Sequence, residues 1–293
     1  MNIDRPIFIL GGARSGTTIL YNLLAAHRDT CWVSYLSDAR PGAAAPVRRH
    51  RLLDLPLVGP SQLRAIVRNR PNRTRMRWMP WPAEGDNTWH DHAGFGAEPY
   101  GTETHIDDAM ASRLRGVIDT HLRVTGRPRF LCKQTANNRR LELVAGMFPD
   151  ARYVHLIRDG RAVANSMIRE PWWNDMHVWW LGKRVRDWDE GPPVALAALY
   201  WQHTLEEIRR HDFGDRYMEV RYEDLAADTP AVMAEVVRFA GMNADAVHAR
   251  LLPGTLPNMN HKWRTKLSQE QQAAMLDAIG PALSALGYDS GSG

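Results

Sequence analysis

The chain has 293 residues, of which 44% are hydrophobic and 24% charged, a composition typical of a globular chain long enough for one large α/β domain. A formal net charge of +4 favours anionic ligands but is too small to indicate a nucleic-acid-binding protein. No stretch resembles a signal peptide or approaches the roughly 20 apolar residues of a membrane span, so the sequence predicts a cytoplasmic protein without a transmembrane segment.

The first element is an apolar run that breaks into a glycine-containing turn and resumes at helical spacing. Residues 6–10, PIFIL, have the composition of a strand buried on both faces, and residues 19–24, ILYNLL, place apolar side chains along one helical face. The turn at residues 11–16 therefore leads into a helix N-terminus, whose free N–H groups and dipole favour anions. The sequence predicts a site for a phosphate or sulfate oxyanion here.

This turn differs from the loop of a nucleoside triphosphatase. Such a Gly-x4-Gly loop continues with Lys and then Ser or Thr, whereas here Thr17 and Thr18 follow and the cation comes earlier, as Arg14. A guanidinium can bridge an oxyanion, and threonine hydroxyls can donate to phosphate without a metal. The string Arg-Ser-Gly-Thr-Thr resembles the 5′-phosphosulfate-binding loop of sulfotransferases that use 3′-phosphoadenosine 5′-phosphosulfate (PAPS). The resemblance implies donor-binding roles for Gly12, Ala13, Arg14, Ser15, Gly16, Thr17 and Thr18.

Residues 39–104 are predicted to be an irregular insert rich in arginine and tryptophan. From Arg40 to Ala83 there are ten arginines and one acid, Asp54, and residues 62–70 have the pattern of a basic helix. The stretch is either a solvated face or a cover over an anionic nucleotide or acceptor. Because the resemblance is weakest in this insert, we expect acceptor specificity to lie there.

The sequence predicts no metal site. His90, Asp91 and His92 lie side by side, where neighbours on a strand point to opposite faces, and no distant ligand cluster accompanies them. Cys31 and Cys132 lie in apolar contexts without ligand spacing, so we expect them to be buried thiols.

Strand, turn and helix recur in the middle of the chain. Helical spacing covers residues 105–125, residues 129–133 read as a short strand that delivers Lys133 to the sheet edge, and residues 152–157 form a strand that leads into Arg158. A helix through residue 167 follows. Two anion-binding turns are therefore expected at the carboxyl ends of neighbouring parallel strands, where such sheets bind ligands.

The second turn strengthens the resemblance. Arg158 and Ser166, eight residues apart, resemble the pair that binds the 3′-phosphate in sulfotransferases, whereas Arg161 is expected at the surface. The chain thus resembles a bacterial PAPS-dependent sulfotransferase. This resemblance implies a P-loop-like α/β fold, a parallel sheet flanked by helices, in a single domain spanning 1–293. It also implies sulfuryl transfer from PAPS to a hydroxyl or amine. The alternatives are a P-loop kinase or NTPase and a non-catalytic nucleotide-binding module.

The resemblance also implies catalytic roles. Arg14 would stabilise charge on the transferring group, although relatives often carry lysine there, and Lys133 is a second candidate cation. Of the possible general bases, Glu84 is favoured because a carboxylate among tryptophans and prolines is expected to be partly desolvated, which favours proton uptake, and His92 is second. The remaining choices are Asp38, His90 and Asp91.

The last part of the chain offers further candidates. The four tryptophans within residues 171–182 are either core or an acceptor wall, and the helix after residue 217 is expected to start with Thr229 as its N-cap. Lys262 or Arg264, ahead of a final helix over 268–286, would pair with the 3′-phosphate by resemblance or form a solvated basic stretch. The predicted acceptor is a small molecule, glycan or lipid, and the oligomeric state stays open.

Overall fold

A computed structural model describes residues 3–96 and 107–288, apart from the side chain of Arg73. Its centre is a parallel sheet of five strands in the order β2-β3-β1-β4-β7, accompanied by a two-stranded antiparallel ribbon, β5-β6. The strands are β1 (Ile7–Leu10), β2 (Thr30–Trp32), β3 (Arg129–Cys132), β4 (Arg152–Ile157), β5 (His177–Val178), β6 (Lys183–Arg184) and β7 (Tyr217–Arg221).

Helices cover both faces of the sheet. The α-helices are α1 (Thr17–Ala25), α2 (Tyr35–Asp38), α3 (Ala44–Val47), α4 (Gly59–Val67), α5 (Arg73–Met76), α6 (Asp108–Thr125), α7 (Leu141–Met147), α8 (Gly160–Met167), α9 (Pro193–Arg209), α10 (Tyr222–Ala227), α11 (Thr229–Phe239), α12 (Ala246–Leu251), α13 (Trp263–Lys266) and α14 (Gln269–Ala285). Short 3₁₀ turns span Arg48–Asp54, Thr135–Arg139, Trp173–Asp175, Val185–Asp187, Gly214–Arg216 and Asn260–Lys262, and Asn87–His92 is a π-helix.

β1 is apolar at every position and is buried on both faces of the sheet. Ile7 and Ile9 pack into the core on the side of α1, whereas Phe8 and Leu10 pack into the core on the side of α6 and α7. Alternating strand side chains point to opposite faces, so a central strand needs apolar residues at every position. A third core lies between α8, α9 and α14.

The sheet topology brings three strand ends together. β1 pairs in parallel with β4 on one side, with Leu10 opposite His155, and with β3 on the other, with Phe8 opposite Cys132. The loops after β1, β3 and β4 therefore emerge at one edge, as expected for ligand binding in a parallel sheet. The predicted fold class, a parallel sheet flanked by helices, is confirmed, as is the adjacency of the two predicted turns.

Several predicted boundaries need adjustment. The helix expected from residue 105 begins at Asp108 with Asp107 as its N-cap, and residues 105 and 106 lie outside the described residues. Thr229 is the first residue of α11 and not its cap, because the carboxylate of Asp228 accepts the N–H of Ala231 at 3.0 Å. The basic helix predicted over 62–70 is α4, and positions 97–104 of the insert lie outside the described residues.

The expectation for the cysteines is confirmed. Cys31 and Cys132 are free and buried, and burial raises the pKa of the Cys31 thiol to about 12. Within the parts of the chain that the structure describes, no helix is long and apolar enough to cross a membrane.

Candidate active site

The loop after β1 has a backbone that requires glycine. Gly11 and Gly16 have φ of 139° and 98°, and a Cβ on Gly11 would lie 2.7 Å from the carbonyl oxygen of Leu156. A Cβ on Gly16 would lie 2.8 Å from the ring of Tyr222. Arg14 also adopts a left-handed φ, of 68°, which few non-glycine residues do. The loop is therefore packed tightly between β4 and α10 as it enters α1.

Asn138 fixes the start of this loop. Its side-chain Oδ1 accepts the N–H of Gly11 at 3.2 Å, and its Nδ2 donates to the carbonyl oxygen of Gly11 at 2.8 Å. Asn138 is buried in the 3₁₀ turn that follows β3. Asn138 is not among the site residues predicted from the sequence, although its place just beyond the end of a core strand is a detectable signal.

The second turn meets the first through Arg158. Its Nη1 donates to the carbonyl oxygen of Arg14 at 3.2 Å, and its Nε donates to Oδ1 of Asn260 at 2.9 Å. The guanidinium also stacks 4.3 Å from the ring centre of Tyr222. Burial lowers the pKa of Arg158 from its ordinary value, an effect that Tyr222 and Glu223 partly offset. A bound anion would compensate for that burial.

Arg14 bridges to the helix that follows the second turn. Its Nε donates to Oγ of Ser166 at 3.0 Å, and its Nη2 lies 3.1 Å from the carboxylate of Glu170. The structure thus brings together Arg14, Arg158 and Ser166, which the sequence analysis had assigned to two separate turns. Glu170 was not foreseen.

Both turns open into one cavity of about 670 Å³. Its lining includes the loop after β1 and the segments after β3 and β4. From the two turns and the end of β3, the lining includes Gly12, Ala13, Arg14, Gly16, Thr17, Thr18, Lys133 and Arg158. Ser15 is buried beneath the loop.

An aromatic wall closes one side of this cavity. Trp172, Trp179 and Tyr200 line it, and the guanidinium of Arg139 lies 4.7 Å from the ring centre of Trp179. Trp173 is instead buried in the core. The tryptophan cluster therefore serves both as core and as cavity wall.

Glu84 and Lys133 face each other at the cavity edge. Residues 81–84 run beside the end of β2, where Ala83 N–H donates to the carbonyl oxygen of Val33 at 2.9 Å. This pairing places Oε1 of Glu84 2.5 Å from Nζ of Lys133, while Thr135 Oγ1 lies 3.5 Å from Oε2. The Lys133 side chain is buried, whereas that of Glu84 is 40% exposed. The carboxylate is thus held at the cavity edge by a charged partner.

The family of the protein is shown by a match between its sequence and a family model. The sulfotransferase family model matches residues 6–246. The chain belongs to the sulfotransferase family. It is therefore an enzyme that transfers a sulfuryl group to a hydroxyl acceptor.

Known sulfotransferases are similar to this chain, at low sequence identity, and support this assignment. Protein-tyrosine sulfotransferase 1 of Danio rerio is 25% identical over 316 residues, covering 98% of this chain and 74% of the relative. The omega-hydroxy-beta-dihydromenaquinone-9 sulfotransferase Stf3 of Mycobacterium tuberculosis (strain CDC 1551 / Oshkosh) is 24% identical over 318 residues, covering 98% and 76%. The crystal structure of sulfotransferase STF9 from Mycobacterium avium shares the fold, with a TM-score of 0.60, 16% identity and coverage of 97% and 77%.

A second cavity of about 420 Å³ adjoins the first in this sulfotransferase. The two share Thr18, Asn69, Glu84 and Lys133 as lining residues, so the ion pair stands at their junction. The remaining wall of the second cavity is mainly apolar and aromatic. It comprises Tyr21, Asn22, Tyr35, Pro71, Met76, Trp81, Pro82 and Ala83.

The other base candidates lie elsewhere. Asp38 accepts the N–H and hydroxyl of Thr88 at 2.8 and 2.7 Å, so it holds the first turn of the π-helix. His90, Asp91 and His92 lie on that helix, outside the lining of the two cavities just described. Burial lowers the pKa of His90. Among residues 3–96 and 107–288, no group of three or more His, Cys, Asp or Glu side chains is arranged to hold a metal.

The C-terminal segment reaches the second turn through Asn260. Its Nδ2 donates to Oε1 of Glu223 at 2.5 Å while its Oδ1 accepts from Arg158. Lys262 is exposed, and Arg264 lies 5.0 Å from the ring centre of Trp263. Arg264 also lines a separate opening of about 330 Å³ on that side of the second turn.

The surface position expected for Arg161 is wrong. Its side chain is buried, with Nη2 2.9 Å from the carboxylate of Asp159 and its guanidinium 5.0 Å from the ring centre of Trp263. Asp159 accepts the Arg161 N–H as the N-cap of α8. Arg161 thus helps to fix the start of the helix that carries Ser166.

Proposed function

We propose that PAPS is the sulfuryl donor and that both turns hold it. In this proposal the loop from Gly12 to Thr18 binds the 5′-phosphosulfate, and Arg158 with Ser166 binds the 3′-phosphate. Lys262 or Arg264 adds a further cation near the 3′-phosphate. The observation that carries the proposal is the common cavity, in which Arg158 donates to the backbone of Arg14.

The bound donor supplies the sulfuryl group, and the protein stabilises the charge that develops during transfer. Arg14 and Lys133 are the proposed cations, assisted by the hydroxyls of Thr17 and Thr18 and by the amides that begin α1. All of these groups border the first cavity, so no metal is required to place positive charge around the sulfonate oxygens. The guanidinium of Arg14 acts through hydrogen bonds and charge.

Glu84 is the proposed general base. It takes the proton of the acceptor hydroxyl as the acceptor oxygen forms a bond to sulfur and the bond from sulfur to the bridging phosphate oxygen breaks. The leaving group departs as 3′-phosphoadenosine 5′-phosphate (PAP). The position of Glu84 at the junction of the two cavities supports this role, because the donor and acceptor must meet there. His92, the second candidate from the sequence, has less support because it lies on the π-helix outside the lining of both cavities.

The second cavity is the proposed acceptor site. Tyr35, Met76 and Trp81 offer apolar and aromatic surface, and among the described residues of its lining the charged ones are Glu84 and Lys133. This lining favours a hydroxylated acceptor with an apolar body, a small molecule or a lipid, over a glycan. We further propose that residues 1–293 form one sulfotransferase domain and that residues 39–104 serve as its acceptor insert.

Calorimetric titration with PAP tests the donor assignment. We expect saturable binding of PAP at one site and no binding of ATP with magnesium. A labelled-PAPS assay across phenols, hydroxylated lipids and sugars then tests the acceptor class. Magnesium-dependent ATP binding in place of PAP binding would overturn the proposal in favour of a P-loop phosphotransferase, and PAP binding without turnover of any acceptor would favour a non-catalytic module.

A further inference from the structure

The formal charge of the chain is strongly polarised. Residues 40–83 contain ten arginines and a single acid, whereas the other 249 residues contain 27 lysines and arginines against 32 aspartates and glutamates. The small net charge of the whole chain therefore conceals a strongly basic segment on an otherwise slightly acidic protein. Such a field attracts anionic partners to one side of the molecule.

The arginines of this segment whose side chains the structure describes lie on the surface and outside the lining of both cavities. Arg48 and Arg49 are exposed on the 3₁₀ turn Arg48–Asp54. Arg64 is exposed on α4 and Arg68 just after it. These four side chains have no hydrogen-bond or ion-pair partner among residues 3–96 and 107–288. The segment's one acid, Asp54, pairs with Arg127 at 2.7 Å. These charges are thus available to an external partner.

Exposed apolar side chains lie within the same segment. Among the described residues, seven large hydrophobic side chains are exposed, and Leu55, Leu57 and Trp78 belong to this segment. Leu57 is 94% exposed, the highest value of the seven. Exposing a leucine to this extent forgoes apolar burial, unless a partner covers it.

A tight turn presents Leu57. The N–H groups of Val58 and Gly59 donate to the carbonyl oxygen of Leu55 at 3.3 and 2.8 Å, which reverses the chain between the 3₁₀ turn and α4. A Cβ on Gly59 would lie 1.9 Å from the carbonyl oxygen of Leu53, so the base of the turn is closely packed. Leu57 therefore projects from a fixed tip, and at a rise of about 1.5 Å per residue along α4, Arg64 and Arg68 follow about 8 and 14 Å after Gly59.

We propose that this surface, the exposed side chains of residues 48–68, here called the basic face, docks on an anionic lipid bilayer. Arginines attract anionic headgroups, while Leu55 and Leu57 can enter the apolar boundary beneath them. A soluble polyanion would bind the arginines but would gain nothing from a projecting leucine. A second copy of the chain would bring two basic faces together, and like charges disfavour that contact.

The position of the acceptor cavity agrees with this docking. Asn69, Pro71 and Met76, which line that cavity, follow directly after the basic face, and Arg75 Nη1 donates to Ser61 Oγ on α4 at 3.1 Å. Docking would therefore place the cavity near the bilayer. The docking proposal itself does not rest on the proposed donor or acceptor, because lipid binding is measured without either.

Vesicle co-sedimentation tests the basic face. We expect the protein to bind vesicles of phosphatidylcholine and phosphatidylglycerol, to release them at high salt, and not to bind pure phosphatidylcholine. Each arginine near a charged bilayer contributes about fivefold in affinity, so Arg64→Gln with Arg68→Gln should weaken binding about 25-fold. Leu57→Ser should weaken vesicle binding by at least about tenfold, because the leucine side chain that would be buried in the bilayer is lost.

The matched control removes the same charge elsewhere. Arg210→Gln with Arg238→Gln, exposed residues just after α9 and on α11, should leave vesicle binding within about twofold of the original. Thermal melting confirms that all variants fold. The proposal is overturned if anionic vesicles are not bound, or if the control variant loses as much affinity as the double variant on the basic face. It is also overturned if Leu57→Ser binds vesicles normally and heparin competes fully, which would indicate a soluble polyanion as the partner. A dimer that sedimentation detects and that Leu57→Ser abolishes would likewise overturn it, in favour of a second copy of the chain.

Discussion

Individual side chains in this sulfotransferase already have protein partners at the positions proposed for the donor. Arg14 contacts Ser166 and Glu170, and Arg158 contacts Asn260 and the backbone of Arg14. Donor anions would have to replace or share these contacts. The cations are thus oriented in advance, so little side-chain entropy would be lost on binding.

Removing Arg158 tests the second turn. Arg158→Ala should weaken PAP binding about 10- to 100-fold, because a charge-assisted hydrogen bond contributes about 1.5–3 kcal/mol. Calorimetry with PAP measures the change. Arg152→Ala is the matched control, since Arg152 begins the same strand, about 20 Å away, and donates to the carbonyl oxygen of Asp215. Equal losses in the two variants would show that the effect is structural and not due to the 3′-phosphate.

Replacing Glu84 tests the general base. Glu84→Gln should lower kcat by about 10²- to 10⁴-fold while leaving PAP affinity unchanged, because only proton transfer is removed. Single-turnover assays with labelled PAPS measure this. Asp86→Asn is the control, since Asp86 lies two residues away and accepts from Gln134 at 2.8 Å, outside the lining of both cavities. Full activity of Glu84→Gln would show that Glu84 is not the general base.

At the level of elements, the loop between β1 and α1 depends on its neighbours. Asn138 from the turn after β3 holds Gly11, and the ring of Tyr222 from α10 leaves no room for a side chain at Gly16. The loop geometry is therefore a property of three adjoining strand ends, not of the loop alone.

A methyl group at Gly16 should disrupt this packing. Gly16→Ala combines a left-handed φ with a contact of 2.8 Å to Tyr222, and we expect a loss of about 2–4 kcal/mol in the free energy of unfolding together with weaker PAP binding. Gly116→Ala is the control, because a Cβ there meets no atom within 4 Å on helix α6. Urea denaturation compares them. A Gly16→Ala variant as stable as the control would contradict this packing account.

At the scale of the whole molecule, buried histidines tie stability to pH. Burial lowers the pKa of His50 and His155 to about 3 and that of His121 to about 4. In the unfolded chain each would take up a proton near pH 6.5, whereas in the folded protein it stays neutral down to about pH 4 or below. Their contribution is fully present above pH 6.5 and is lost as the pH falls.

We therefore expect stability to decrease from pH 7 to pH 5 by about 2 kcal/mol for each of these histidines. Denaturation curves at several pH values measure this slope. His121→Asn should reduce the slope by about that amount even if it lowers stability overall, whereas His203→Asn, a half-buried residue beside Glu206, serves as the control. A slope unchanged by His121→Asn would show that another group carries the pH dependence.

The sequence by itself determined the parallel sheet, its main helices and the two turns, because strands buried on both faces and helices with one apolar face leave periodic patterns along the chain. The turn after β1 could be recognised from its local signature, a helix N-terminus after a glycine turn, whereas Arg158 and Ser166 of the second turn were chosen by their resemblance to sulfotransferases. Only the tertiary structure placed Glu84 against Lys133, Asn138 against Gly11 and Arg161 in the interior. Glu84 and Lys133 are 49 positions apart in the sequence, Gly11 and Asn138 are 127 apart, and Arg161 packs on Trp263, 102 positions away. No local pattern encodes which distant strand ends will meet.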